Sequence, residues 1–431
     1  MYHLSPPAVY VHETVLADPR YKRRVDRVVA ATDNRPEIVA FADDDLPEMI
    51  RQRDLLAARV PMGTLDPIPD PILLFNTFRF DGRRDERMAW LTEACGRFSG
   101  YHLHEALLGY GPFCWWTEDD LQKRICRPCW RVHFQNGCLH KCLYCGLGGL
   151  LISMVNVEDY LERFAGLIEQ NAWQETFLLE DDADVLCLEP ELGCLGPIIE
   201  FFGARAGRYV ILHTKSWNVD WMAGLDHGGH TIVVWSLAGR TQSERLEPVA
   251  GTMAQRIDAA RKAQDAGYVV RYKFKPIIPV RGWREEAAEA VELLFRHTRP
   301  DLITLSVYMW MDVEKMTRRL GRGVLDPAML AAAESAAADM ADERVKPFPD
   351  DARAEIYEHY VREIRKHSDN VPISISTESA AMWKRLGGLL GAEPGTYVCG
   401  CGPNSTPWRR KLPCNAFQLA AGGPVGGFEK M

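Results

Sequence analysis

The 431-residue chain has no run of about 18 consecutive apolar residues, which excludes a hydrophobic membrane-spanning helix. It also lacks a strong excess of either charge. Its 51 Lys+Arg stand against 59 Asp+Glu, and the net charge of −8 gives no global attraction to phosphate backbones or anionic lipid. No internal repeat is visible, so a solenoid is not expected. The opening MYHLSPPAVYVHETV has no charged segment followed by an apolar one, so no secretory signal is expected and the chain is read as cytoplasmic. The composition, 47% hydrophobic and 26% charged, is that of an ordinary globular protein.

Twelve cysteines are many for a reducing compartment, where close clusters suggest metal or redox chemistry before disulfides. Their setting is a chain of three parts. Residues 1–125 read as an N-terminal extension or cap of mixed helix and strand, with no chemistry of its own. Residues 126–325 alternate apolar extended runs (RVHFQ, ETFLL, RYVILHT, TIVVWS, VVRYKFKPII, LITLSVYM) with helical stretches. Strand–helix alternation of this kind predicts parallel strands joined by right-handed crossovers, an α/β fold of partial (β/α)6 barrel type. Residues 326–431 add helices, a strand-like VPISIS and a Gly/Pro-rich tail that carries cysteines.

The motif NGCLHKCLYCGLGG places Cys138, Cys142 and Cys145 in a C-x3-C-x2-C arrangement after the first extended run. Three thiolates on one short loop can take three corners of a 4Fe–4S cube and leave one iron open. That iron can be chelated by the amino and carboxylate groups of S-adenosylmethionine (SAM), and an electron from the cluster then yields a 5′-deoxyadenosyl radical. Tyr144 fits a contact to the adenine, and Gly146 and Gly148 permit close backbone approach. A structural zinc site is the bland alternative, but its usual paired C-x2-C or histidine spacing is absent here.

Over about residues 130–290 the sequence resembles the radical SAM superfamily, and within it the spore photoproduct lyase-like group. The resemblance rests on GC-x3-C-x-YC at 137–145, DVLCLEPELGCLGPIIEFFG, HTKSW, Glu247–Pro248, RIDAARKAQDAGY, Pro276–Ile277 and Gly282–Trp283. It implies that Lys215 meets the SAM carboxylate and that Ser236 contacts SAM, roles that suit an ammonium and a hydroxyl. It also implies an electron donor such as flavodoxin, ferredoxin or a partner reductase. Two positions depart from the group. Asp181 or Asp182 stands where the lyases carry a hydrogen-donating cysteine, and Gly146 replaces an aromatic residue.

Glu180, Asp181, Asp182 and Asp184 form an acidic run after the second barrel strand. Read as an exposed loop it is bland. Read as a site, Glu180 accepts the SAM amino group, and the remaining carboxylates favour a cationic small-molecule substrate and serve as acid or base. This makes nucleic acid an unexpected partner. It points to dehydration or deoxygenation of an amino-sugar diol, as in antibiotic biosynthesis, with DNA photoproduct lyase-like repair or nucleobase modification as one alternative. The other is a non-enzymatic metal-binding module. At the far end, Cys399, Cys401 and Cys414, with Cys126 or Cys129 of CRPC, suggest a second iron–sulfur site, with zinc or free thiols as alternatives. Cys95, Cys114, Cys187 and Cys194 read as buried small apolar residues.

Overall fold

A computed structural model describes residues 2–53, 55, 61–96, 103–116, 121, 123–127 and 129–412. Its first seven strands are β1 (Val9–His12), β2 (Ile38–Phe41), β3 (Ile72–Asn76), β4 (Phe113–Trp116), β5 (Cys129–Val132), β6 (Gln135–Asn136) and β7 (Leu150–Met154). The rest are β8 (Thr176–Leu179), β9 (Tyr209–Thr214), β10 (Thr231–Ser236), β11 (Val269–Ile277), β12 (Ile303–Val307) and β13 (Ile373–Ile375). They form two sheets, ordered β2-β1-β3-β7-β6 and β13-β12-β11-β10-β9-β8-β5-β4.

The larger sheet is the expected partial barrel. Strands β5 and β8 to β13 run parallel, and β4 adds an antiparallel edge. Strands such as TIVVWS are buried along nearly their whole length because helices cover one face and the lumen is filled, so their sequences read as continuous β-branched and apolar runs. The six expected extended runs correspond to β5 and β8 to β12, and VPISIS supplies β13. A bridge between Ile125 and Glu378 joins the β4–β5 connection to the end of β13 and closes the open side at that point.

Two features differ from the expected organisation. The run 131–135 does not continue as one strand: β5 stops at Val132, because the Glu180 carboxylate takes the backbone N–H groups of Phe134 and Gln135 and ends the ladder. The chain then crosses to the other sheet. Strand β7, which follows the cysteine loop, pairs in parallel with β3, with Ile72 opposite Leu150. The N-terminal sheet is therefore completed by residues from beyond position 126, and the boundary expected there is spanned by hydrogen bonds. One continuous apolar core runs through both parts.

The aperiodic tail also has a defined place. Residues 397–406 thread into the lumen from the N-terminal ends of the strands. Pro403 O accepts the N–H groups of Glu175 and Thr176 at 3.0 and 2.9 Å. Arg271, fully buried and paired with Asp301 at 2.6 Å, donates to Ser405 Oγ and O at 2.9 and 2.7 Å. Higher in the barrel Cys401 packs on a separate apolar patch that includes Cys129, Leu178, Ile211, Ile232 and Val234.

Candidate active site at the barrel mouth

The cysteine loop lies between β6 and β7, after the carboxyl end of β5, where α/β sheets carry their sites. Gly137 opens it with a φ of 109°, and a Cβ there would lie 2.0 Å from Leu150 O, so only glycine fits. The loop's backbone is pinned from several sides. Cys138 N donates to Leu147 O at 2.7 Å, Leu143 N to Leu246 O at 2.9 Å, and Met62 N to Cys145 O at 3.1 Å. Cys142 is buried, and Cys138 and Cys145 are half-buried. Burial pushes the Cys142 thiol up to about 12, partly offset by the ammonium of Lys215. An apolar pocket that disfavours a bare thiolate, with a cation beside it, fits a ligand that ionises only when metal binds.

Lys215 follows β9, and although burial opposes its charge, Cys142 and Glu247 hold its ammonium above the usual lysine range. Glu247 is fully buried against an equally buried Arg256. It also accepts from the Tyr144 hydroxyl, and from Gln242 Nε2 at 3.1 Å. Burial alone would raise this carboxyl, but Arg256 and then Lys215 hold it down at about 2. The Tyr144 ring meets Tyr308 edge-on with centroids 6.2 Å apart. Ser236 closes β10 at the same mouth, and its carbonyl accepts from Arg256 Nη1 at 2.9 Å. Thus Cys142, Tyr144, Lys215, Glu247 and Arg256 form one network. Arg256 and Glu247 lie within the motifs that carried the resemblance, yet a helical arginine and an exposed-looking EP pair gave no sequence sign of a buried ion pair.

The acidic run is not an exposed surface. Glu180, Asp182 and Asp184 are 1%, 6% and 4% exposed. Glu180, at a φ of 61°, accepts from the N–H groups of Phe134 and Gln135 and contacts His133 Nδ1 at 3.2 Å. Asp184 binds His140 Nε2 at 2.7 Å, Thr214 Oγ1 at 2.9 Å and Lys215 N at 2.7 Å, tying the cysteine loop to the end of β9. Burial opposes its charge, but His140 and these donors keep its carboxyl below the usual range. The Asp182 carbonyl accepts from Gly137 N at 2.9 Å. Asp181 alone is half-buried. Cys187 and Cys194 are buried as expected, and Cys95 is half-buried. The Cys114 side chain and Cys414 lie outside the described residues.

A family model described as spore photoproduct lyase matches residues 127–318. Over that span the chain is similar to spore photoproduct lyases, in line with the radical SAM, spore photoproduct lyase-like resemblance carried by its motifs. The spore photoproduct lyase of Geobacillus sp. (strain Y412MC61) is 28% identical over 172 residues, covering 38% of this chain and 50% of that protein. That of Bacillus subtilis (strain 168) is 27% identical over 161 residues, covering 36% and 47%. The chain thus matches about half the length of these curated relatives. A solved mutant spore photoproduct lyase with bound AdoMet and dinucleoside spore photoproduct has the same fold, with a TM-score of 0.58 and 18% identity over 86% of this chain and 98% of that one. The partial barrel deduced from the strand–helix pattern is the fold observed, and it is shared with this solved lyase. Among the described residues no helix is long and apolar enough to cross a membrane.

Proposed function

We propose that this protein is a radical SAM enzyme of lyase type that acts on a modified nucleobase. The observation that carries the reading is the pinned three-cysteine loop at the barrel mouth, tied through Asp184 to the backbone of Lys215 at the end of β9. When bound, a 4Fe–4S cluster supplies the electron that cleaves SAM to a 5′-deoxyadenosyl radical, which takes a hydrogen atom from substrate. Cys138, Cys142 and Cys145 would hold that cluster. Lys215 would pair with the SAM carboxylate, and Ser236 would offer its hydroxyl to the same ligand. Glu247 and Arg256 keep Tyr144 and Lys215 in place, so we assign them positioning roles.

The substrate reading moves away from a cationic amino sugar. Three of the four carboxylates invoked for it are buried, and Glu180 and Asp184 are occupied in fastening the loop. We accordingly assign Glu180 to positioning rather than to the SAM amino group. The named relatives are photoproduct lyases, and the solved neighbour binds a dinucleoside lesion, which supports a nucleobase substrate. Nucleic acid thereby becomes a candidate partner, and antibiotic biosynthesis has no support. Asp181 has no hydrogen to give as a carboxylate, so it cannot replace the cysteine donor that the resemblance places near it. A flavodoxin- or ferredoxin-type protein would supply the electron.

The test is anaerobic incubation of reconstituted protein with SAM, dithionite and dinucleoside spore photoproduct. The expected result is 5′-deoxyadenosine formation together with consumption of the lesion. SAM cleavage without loss of the lesion would overturn the substrate, and no SAM cleavage would overturn the radical reading.

A further inference from the structure

The opening residues, expected to carry no chemistry of their own, lie against the cysteine loop. The Tyr2 hydroxyl donates to Ser216 Oγ at 2.9 Å. Its ring meets the His140 imidazole edge-on, with centroids 5.5 Å apart, and meets the Trp217 ring in the same manner at 5.8 Å. One side chain therefore touches two loops from different parts of the sequence. His140 stands between Cys138 and Cys142, and its backbone N–H donates to Cys138 Sγ at 3.5 Å. Ser216 and Trp217 directly follow Lys215, in a turn ordered by Ser216 N on Thr214 Oγ1 at 2.8 Å and Asn218 N on Ser216 Oγ at 3.2 Å. A second contact follows three residues later. Ser5 N donates to Asp70 Oδ2 at 2.7 Å, and Asp70 pairs with Lys141 of the cysteine loop. Between these contacts the segment is fastened to the N-terminal unit. Leu4 is buried and its carbonyl accepts from Asp33 N at 2.8 Å, while Pro6 O accepts from Asn34 Nδ2 at 2.9 Å.

We propose that residues 2–5 are a strap that locks the cysteine loop to the turn after β9, with Tyr2 a positioning residue for SAM. The inference rests on the radical SAM reading of the barrel mouth. That reading places the cluster on one loop and the cation for the SAM carboxylate at the head of the other, so the two must hold a fixed relation. Asp184 supplies one link, from His140 to Lys215 N. Tyr2 supplies a second link between the same two loops, through different atoms. One link leaves a hinge, and two remove it. Exposure falls from 41% at Trp217 through 7% at Tyr2 to 2% at His140, so the tyrosine is the layer between solvent and the loop. It touches neither the cysteines nor Lys215 by hydrogen bond or ring contact, and it acts through His140 and Ser216. The hydroxyl and the ring make separable contributions, because only the hydroxyl reaches Ser216 and only the ring packs on His140.

The test compares the full chain with its Tyr2→Phe and Tyr2→Ala variants. Tyr2→Phe keeps the ring contacts and loses the hydroxyl. After anaerobic reconstitution it should hold wild-type iron and melt as wild type. It should bind SAM about threefold to tenfold more weakly, read from the change SAM makes in the electron paramagnetic resonance signal of the reduced cluster. Tyr2→Ala loses ring and hydroxyl together, and it should weaken SAM binding further and bleach faster in air. Hydrogen exchange on the metal-free chain gives a readout that needs no cluster. Amides of residues 138–145 and 215–218 should exchange faster in Tyr2→Ala, while those of β10 to β12 keep wild-type protection. Wild-type SAM affinity in Tyr2→Ala would overturn the strap, as would faster exchange spread evenly over the whole chain. Failure of the radical SAM reading looks different: wild type itself would then hold no cluster and cleave no SAM, while exchange at the two loops would still separate Tyr2→Ala from wild type.

Discussion

At the scale of the residue, the site depends on buried charges that satisfy one another. Removing the Glu247 charge leaves Arg256 unpaired in a dry interior, which typically costs about 3–5 kcal/mol. Glu247→Gln should therefore lower the denaturation midpoint clearly, as followed by urea unfolding. The same pair predicts a pH dependence. The folded carboxyl ionises at about 2 against an ordinary 4.5, so its stabilisation is complete above the ordinary value and is lost as pH falls toward 2. The contribution is on the order of 3 kcal/mol. In Glu247→Gln the stability difference from wild type should shrink steadily between those two pH values, and a constant difference would contradict it. Asp184→Asn should act on the loop instead. It keeps the side-chain size but weakens the contacts to His140 and Lys215 N, so retained iron should fall more than stability does.

At the scale of the element, the cysteine loop is a strap whose shape is set at its first residue. Gly137→Ala places a methyl against Leu150 O at a backbone angle that side chains rarely adopt. The expected outcome is loss of the mouth cluster, read as iron content, with little change in far-UV circular dichroism. The C-terminal tail is the other element with a defined task. A chain ending at Gly395 would strip Arg271 of its Ser405 partners and open the lumen. Its melting temperature should fall by roughly 10 °C or more, and an unchanged value would show that the tail merely rests in the barrel. Strand β7 shows why part of the fold was hard to read. LLISM is an apolar run that could enter either sheet, and its partner β3 lies more than seventy residues earlier, so periodicity alone does not choose.

At the scale of the whole molecule, the two sheets share one core and exchange strands. A fragment beginning at residue 126 would leave β6 and β7 without β3 and would expose their apolar side chains. It should be poorly soluble or should lack a cooperative melt, as calorimetry would show. A soluble fragment with a sharp transition would mean that the barrel folds alone.

The sequence by itself determined what depends on short-range spacing and local pattern. It determined the strand–helix alternation of the barrel, the three thiols of Cys138, Cys142 and Cys145 on one loop, and the late helices such as Asp350–Arg365. Only the tertiary structure decided what depends on burial and on contacts between distant segments. Four carboxylates in five residues look like a solvated loop when counted along the chain. Once folded, Glu180 and Asp184 meet backbone N–H groups and a histidine that neutralise the cost of burying them. The tail likewise has no periodicity because it pairs with no repeating face, and only the closed barrel gives it a place. Desolvation and long-range pairing are properties of the packed chain, and no local window of sequence contains them.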